Sequence, residues 1–311
     1  HYSQDLFALQ KDSAGLKIDR PAVPAASSKA LLALNHVLQH ATPGNAEEVL
    51  MALEGFALEV LRPQRQWFKI AAGAKAKIVE KALDAAPSGA CLEIGTYVGY
   101  TAIRCARRRT SVVSIEVEPE HAVVSQCLTH HAGVSDQVRI WIGRSGDVLP
   151  TLRDREGTTR FAMVFMDQCG SRFWNDLETL IREDLLLPGA VILADNVLKP
   201  GAPLFLWQLI HGQREMFTTQ LISIEEFGMP SVEDWMAMAI YTPAEPQGVV
   251  PPPEVVALEF EAACVRSRAA EPPSVSFEEW STHAERMKKA LGGLGIRCNE
   301  DYPDLQRMQT E

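Results

Sequence analysis

Two apolar runs in the chain end in acid. "VFMD" closes on Asp167, and "AVILADN" closes on Asp195 and Asn196. Each run has the length and composition of a buried strand, so each acid falls where a strand gives way to a loop. Two carboxylates and one carboxamide oxygen, completed by water and ligand oxygens, suit Mg²⁺. Asp and Asn cap helices well, and Asp167 taken alone reads slightly better as a cap. Three together at neighbouring strand ends favour the metal. A further acid, Glu116, closes "SVVSIE" and lies 21 residues beyond Gly95. An acid about 20 positions after a glycine turn commonly binds a ribose hydroxyl. The turn itself, "EIGTYVGY", places Gly95 and Gly99 where backbone must reverse tightly and approach a ligand at a helix start. Its spacing is not G-x-G-x-x-G, so a dinucleotide is not indicated. "GRSGD", residues 143–147, reads as a small polar turn that either borders an adenine ring or is a plain turn.

These residues need a frame that brings strand ends to one rim. From residue 90 onward, short apolar strands alternate with helical stretches: "ACLEIG", "SVVSIE", "QVRIWIG", "FAMVFMD" and "AVILADN" are the strands. Such alternation predicts a parallel sheet with helices on both faces, and ligands then bind beyond the carboxyl ends of the strands. "FTTQLISI" and "WMAMAIYT" follow with no helix between them, which predicts an antiparallel edge. Three amphipathic helices precede the first strand. After Tyr241 the composition shifts to "PAEPQGVVPPP" and two further helical stretches, the second opened by Ser276 and Glu279 at capping-box spacing. The division expected is an arm over residues 1–26, a catalytic-type domain over 27–243, and a Pro-rich linker with a helical extension over 244–311.

The bulk properties narrow the function. With 311 residues there is room for one large domain, and a formal net charge of −10 disfavours nucleic acid or an anionic membrane as the main partner. No apolar run is long enough to span a bilayer. None of the six cysteines forms a C-x-x-C pair or sits near a His at zinc spacing, so reduced structural thiols and a reducing compartment are expected. The chain begins with His1 rather than Met, as expected of a product whose targeting segment has been removed to leave a soluble protein in the cytosol or an organelle interior.

"LEIGTYVGYTAIRCAR", "GVSDQVRIWIGRSGDVLPTL", "VFMD" and "LADNVLKPGAP" together resemble the catechol O-methyltransferase family, as do "HVLQHATPGNAEEVL" and "QWFKIAAGAKAKIV" upstream. The resemblance runs from about residue 30 to about 243. It implies a seven-stranded, Rossmann-like class I methyltransferase fold, S-adenosylmethionine as donor and Mg²⁺ at the acceptor site. It assigns Glu116 to the ribose, and Glu93, Gly95, Tyr97, Gly99 and Thr101 to the cofactor turn. Ser145 falls near the adenine. Asp167, Asp195 and Asn196 become the metal ligands, with Asp167 and Gln168 also on the cofactor side. Trp67 and Pro200 become acceptor-cleft walls, and Lys69 replaces a cofactor-side methionine. The departures lie in one place. Where the family reads D-H-W-K, this chain reads Asp167-Gln168-Cys169-Gly170, so the general-base Lys is replaced by Gly170. Glu226, with Glu225 second, matches the acid that grips the second catechol hydroxyl.

Three functions are compatible with this pattern. The first is a Mg²⁺-dependent O-methyltransferase for a catechol-like phenol, with Glu226 and Lys199 as catalytic residues and Lys69 as another assisting lysine. The second is a catalytically weakened or inactive homologue that serves as an assembly subunit through the C-terminal extension. The third is a methyltransferase for a different acceptor, a larger phenol or one without adjacent hydroxyls, admitted by a cleft that Cys169 and Gly170 open.

Overall fold

Val, Ile, Leu and Phe fill β1 (Ala90–Ile94), β2 (Val112–Glu116), β4 (Phe161–Met166) and most of β5 (Leu186–Ala194), and these strands are buried along nearly their whole length. Strands covered on both faces have this composition, because neither face meets water. β3 (Val138–Ile142) is half exposed, as suits an edge. β6 (Phe217–Glu225) and β7 (Glu233–Tyr241) complete a seven-stranded sheet of order β3-β2-β1-β4-β5-β7-β6. β1 to β5 run parallel. β7 runs antiparallel to both β5 and β6, so the expected antiparallel edge is present, with β6 outermost. The computed structural model describes residues 28–299 except 109, 158–159 and 271–274. The arm expected over residues 1–26 lies outside the described residues.

Helices clothe both faces. α1 (Lys29–His40), α2 (Ala46–Gly55), α3 (Ala74–Ala85), α4 (Tyr100–Ala106) and α5 (Pro119–His131) pack one core against the sheet. Ser28 and Asn45 cap α1 and α2 through side-chain oxygens. α6 (Ser145–Val148), α7 (Leu152–Glu156), α8 (Phe173–Arg182) and α9 (Pro203–Trp207) lie over the second core. "GRSGD" was expected to be a turn, and its last three residues instead open α6. Burial of Val148, Leu149 and Leu152 draws the segment into a helical turn.

The extension forms α10 (Pro253–Ala270) and α11 (Phe277–Gly293), and the capping box of Ser276 and Glu279 is present. Val255, Ala262, Ala284, Met287 and Leu291 join the second core, so both helices pack back onto the sheet domain. α10 nonetheless leaves Val256 and Phe260 exposed. All six cysteines are free thiols. Among the described residues no helix is long and apolar enough to cross a membrane.

Strand order reverses between β1 and β4, each of which starts a run of neighbours in opposite directions. That switch point opens a crevice beyond the carboxyl ends of the strands. Asp167, Asp195, Glu116 and the glycine turn all lie there.

Candidate active site

The turn after β1 is held in left-handed backbone at three places: Gly95 (φ +92), Tyr97 (φ +50) and Gly99 (φ +79). A Cβ on Gly95 would sit 2.8 Å from the Asp167 carbonyl oxygen, and one on Gly99 would sit 2.4 Å from Ser125 Oγ. Both glycines are therefore required by protein neighbours as well as by φ. An aromatic residue at positive φ, as at Tyr97, is strained, and such strain persists where surroundings fix it. Here the fixing group is Glu116. Its Oε2 accepts the backbone N–H of Thr96 (3.1 Å) and Tyr97 (2.8 Å), and its Oε1 accepts that of Glu118 (2.9 Å). Burial opposes its ionisation, but bonds from His121 and these amides hold the carboxyl below its usual range. Glu93, one strand inward, is fully buried, and that burial pushes its carboxyl up to about 7, against the pull of the Ser114 and Thr96 hydroxyls that donate to it. Thr101 is buried at the start of α4.

Ser145 Oγ and Gln168 Nε2 both donate to Asp176 Oδ2, at 2.6 and 2.9 Å. The other end of the Gln168 amide, Oε1, is buried with no partner among the described residues. Buried polar atoms are nearly always paired, so this one awaits a donor. The exocyclic amine of adenine is such a donor, and the residues here fit the adenosine end of S-adenosylmethionine.

The acidic rim is more heavily charged than its sequence suggests. Met166 pairs with Ala194 across β4 and β5, which sets Asp167 beside Asp195. Asp195 Oδ1 accepts the Asn196 N–H (2.7 Å) and meets Lys75 Nζ at 2.8 Å. Lys75 also lies 3.0 Å from Glu226 and 3.7 Å from Asp234. Asn196 takes φ +55, a conformation Asn tolerates well, and its Nδ2 donates to Asp234 (2.6 Å) and Glu226 (3.3 Å). That fixes the amide so that Oδ1 is left for another partner. The Asp167 carboxylate has no hydrogen bond or ion pair among the described residues, and burial with the nearby Asp195 charge drives its carboxyl well up. Four carboxylates, Asp167, Asp195, Glu226 and Asp234, face two ammonium groups, Lys75 and Lys199. Two formal negative charges remain, and a divalent cation would neutralise them. Among the described residues no group of three or more His, Cys, Asp or Glu side chains is arranged to hold a metal. The set that fits Mg²⁺ is instead two carboxylates and an amide oxygen, the hard oxygen donors this ion takes together with water.

Glu226 is buried in this cluster while Glu225 is exposed, which separates the two positions weighed for one role. Burial opposes ionisation of Glu226, yet Lys199 and Lys75 hold its carboxyl down at about 2. Lys199 is fully buried, with Nζ 2.9 Å from Glu226 Oε2 and 3.9 Å from the Trp67 ring centroid. Lys69 is exposed, with Nζ 5.8 Å from the centroid of the same Trp67 ring. A cis peptide joins Lys199 to Pro200.

The extension reaches this rim. Arg266 of α10 donates to the Gly201 carbonyl (2.8 Å), and His283 of α11 bonds the Pro200 carbonyl (2.8 Å). A Cβ on Gly170 would lie 3.0 Å from Arg266 Nη2 and 3.0 Å from Gly201 O. The expectation that Gly170 opens the cleft is thus corrected: Arg266 takes the space that the smaller residue leaves. Four residues of the site were missed in the sequence. Lys75 sits on the apolar stripe of α3 with Ile78, Val79 and Ala82, where a charge should have stood out. Asp176 is buried on α8 and Asp234 on β7, acids on inward-facing positions. Trp280 belongs to an extension with no counterpart in the resemblance.

A parallel sheet with a switch-point crevice, a carboxylate-anchored glycine turn and an acidic rim define a class I S-adenosylmethionine-dependent methyltransferase. A family profile described as O-methyltransferase matches residues 64–205. Catechol O-methyltransferase of Bos taurus is 33% identical over 218 residues, covering 69% of this chain and 77% of its own. That of Mus musculus is 33% identical over 211 residues, covering 67% and 77%. The crystal structure of the O-methyltransferase TomG from Streptomyces achromogenes, in complex with S-adenosylmethionine, superposes with a TM-score of 0.51 at 28% identity over 61% of this chain and 89% of that one. The chain belongs to the catechol O-methyltransferase family.

Proposed function

We propose that the chain transfers a methyl group from S-adenosylmethionine to a hydroxyl of a catechol-like small molecule, with Mg²⁺ held by Asp167, Asp195 and Asn196. The observation that carries this reading is the Asp167 carboxylate, which lies half-buried beside Asp195 at the cofactor crevice with no hydrogen bond or ion pair among the described residues. The likeness to catechol O-methyltransferases supports the acceptor class.

Each residue has a definable task. Glu116 holds the ribose, and Gln168 Oε1 accepts from the adenine amine. Glu226, kept ionised by two lysines, accepts a hydrogen bond from the acceptor's second hydroxyl and so turns the first toward the methyl group. Such orientation supplies up to roughly 7–11 kcal/mol of the barrier in favourable cases. Mg²⁺, when bound, lowers the pKa of the acceptor hydroxyl. A side-chain base is worth about 10²–10⁴-fold, so replacement of the family Lys by Gly170 lowers the rate without removing the chemistry. The Lys199 ammonium faces the phenolate charge that develops beside Glu226. The extension's burial of this rim keeps water from the reacting oxygen.

Calorimetry with S-adenosylmethionine, followed by incubation with methyl-labelled cofactor and a catechol panel with and without Mg²⁺, tests the proposal. Cofactor binding with labelled product only when Mg²⁺ is present is expected. Cofactor binding without product in any arm would sink the acceptor assignment. No cofactor binding at all would return the weakened homologue.

A further inference from the structure

Trp280 of α11 is buried at the acidic rim, with its ring centroid 5.1 Å from Lys199 Nζ. Trp67 stands 3.9 Å from the same nitrogen. The two indoles are therefore no more than about 9 Å apart, and an aromatic ring lodged between them reaches both at ordinary ring-to-ring distances of about 4.5–7 Å. Two donors here are buried, and one of them has no acceptor. Lys199 Nζ is ion-paired with Glu226 at 2.9 Å, and Trp67 Nε1 has no partner among the described residues. An unpartnered buried donor in a native protein calls for a group that the chain does not supply. Two N–H donors beside two indoles call for a ring that carries oxygen. The contacts of Arg266 and His283 with the 200–201 backbone fasten the extension here.

We infer that Trp280 is a wall of the acceptor pocket and determines which acceptors fit. It supplies, from the extension, the aromatic surface that Cys169 does not provide. The pocket takes a single oxygenated ring between Trp67 and Trp280, and the Lys199 ammonium withdraws along Glu226 as the ring enters. The inference rests on the reading of this rim as the methyl-transfer site.

Trp280→Ala, Trp280→Phe and Phe277→Ala test it, the last removing a neighbouring ring of α11 that does not meet Lys199. The probes are catechol and the bicyclic 2,3-dihydroxynaphthalene, each with Mg²⁺ and S-adenosylmethionine. In Trp280→Ala the KM for catechol rises roughly tenfold with kcat nearly constant, and preference moves roughly tenfold toward the larger diol. Trp280→Phe recovers most of the loss, and cofactor affinity is unchanged in all three. If Trp280→Ala does not fold, Trp280→Leu, which keeps an apolar plug, carries the same expectation. An unchanged KM and diol preference, or an equal shift in Phe277→Ala, overturns the inference while leaving the methyl-transfer reading intact. Wild-type protein that binds no cofactor sinks that reading instead, and the inference with it.

Discussion

Lys75→Met isolates the charge logic of the site. The substitution keeps most of the stem's volume and removes an ammonium that is 1% exposed. Asp195, Glu226 and Asp234, at 2.8, 3.0 and 3.7 Å, lose their shared cation. Lys199 remains, ion-paired with Glu226. Breaking a buried pair by removing one partner costs about 3–5 kcal/mol. Proton uptake relieves part of this, because burial already places Asp234 at about 7. The expected loss is about 3 kcal/mol, near the lower bound. At roughly 2–4 °C per kcal/mol for a large domain, Tm falls by roughly 6–12 °C. Guanidinium denaturation followed by tryptophan fluorescence reads the change, with Asp234→Asn and the double variant completing a cycle. The double variant should recover about 1 kcal/mol or more relative to additivity. A loss under about 0.5 kcal/mol, or a strictly additive cycle, would refute the idea that Lys75 is the cation that makes this cluster tolerable.

Further outcomes follow from the same geometry. Glu116→Gln removes a charge that accepts three backbone N–H groups and, in the proposed reading, the ribose; cofactor affinity measured by calorimetry should fall roughly 10- to 100-fold, as for hydrogen bonds to charged groups. Asp167→Asn should abolish Mg²⁺ binding in titration calorimetry while leaving the fold as stable as wild type or more so, since it removes a carboxyl that the nearby Asp195 charge disfavours; retained Mg²⁺ affinity would count against the metal set. Glu93 binds its proton more tightly folded than unfolded, with a folded value of about 7 against 4.5. The folded state therefore holds more protons between those values, and its stability falls as pH rises through that window, by about 3 kcal/mol. Glu93→Gln should flatten that fall, seen as a smaller difference in unfolding free energy between pH 5 and pH 8.

The fold was readable because burial on two faces leaves a plain mark. β1, β2, β4 and β5 are apolar runs, and the acids that stop them lie at one rim because parallel strands share a direction. Glu226 could be named from resemblance even though an insertion blurs its neighbourhood. Lys75 and Asp234 could not, because a charge on an amphipathic helix or an edge-side strand usually faces water, and only the packing of α3 against β4, β5 and β6 brings these two together. The extension hid its role for another reason. Its helices were evident from pattern and cap, but where Trp280 and Arg266 land depends on how α10 and α11 dock, which no local periodicity encodes.

The meeting of Gly170 with Arg266 ties the altered loop to the extension. A Cβ at position 170 would lie 3.0 Å from Arg266 Nη2 and 3.0 Å from the Gly201 carbonyl oxygen that Arg266 holds, so a larger residue fits only where Arg266 gives way. A lysine placed there by Gly170→Lys therefore competes with the seating of α10. A base at this position and a docked extension draw on the same space.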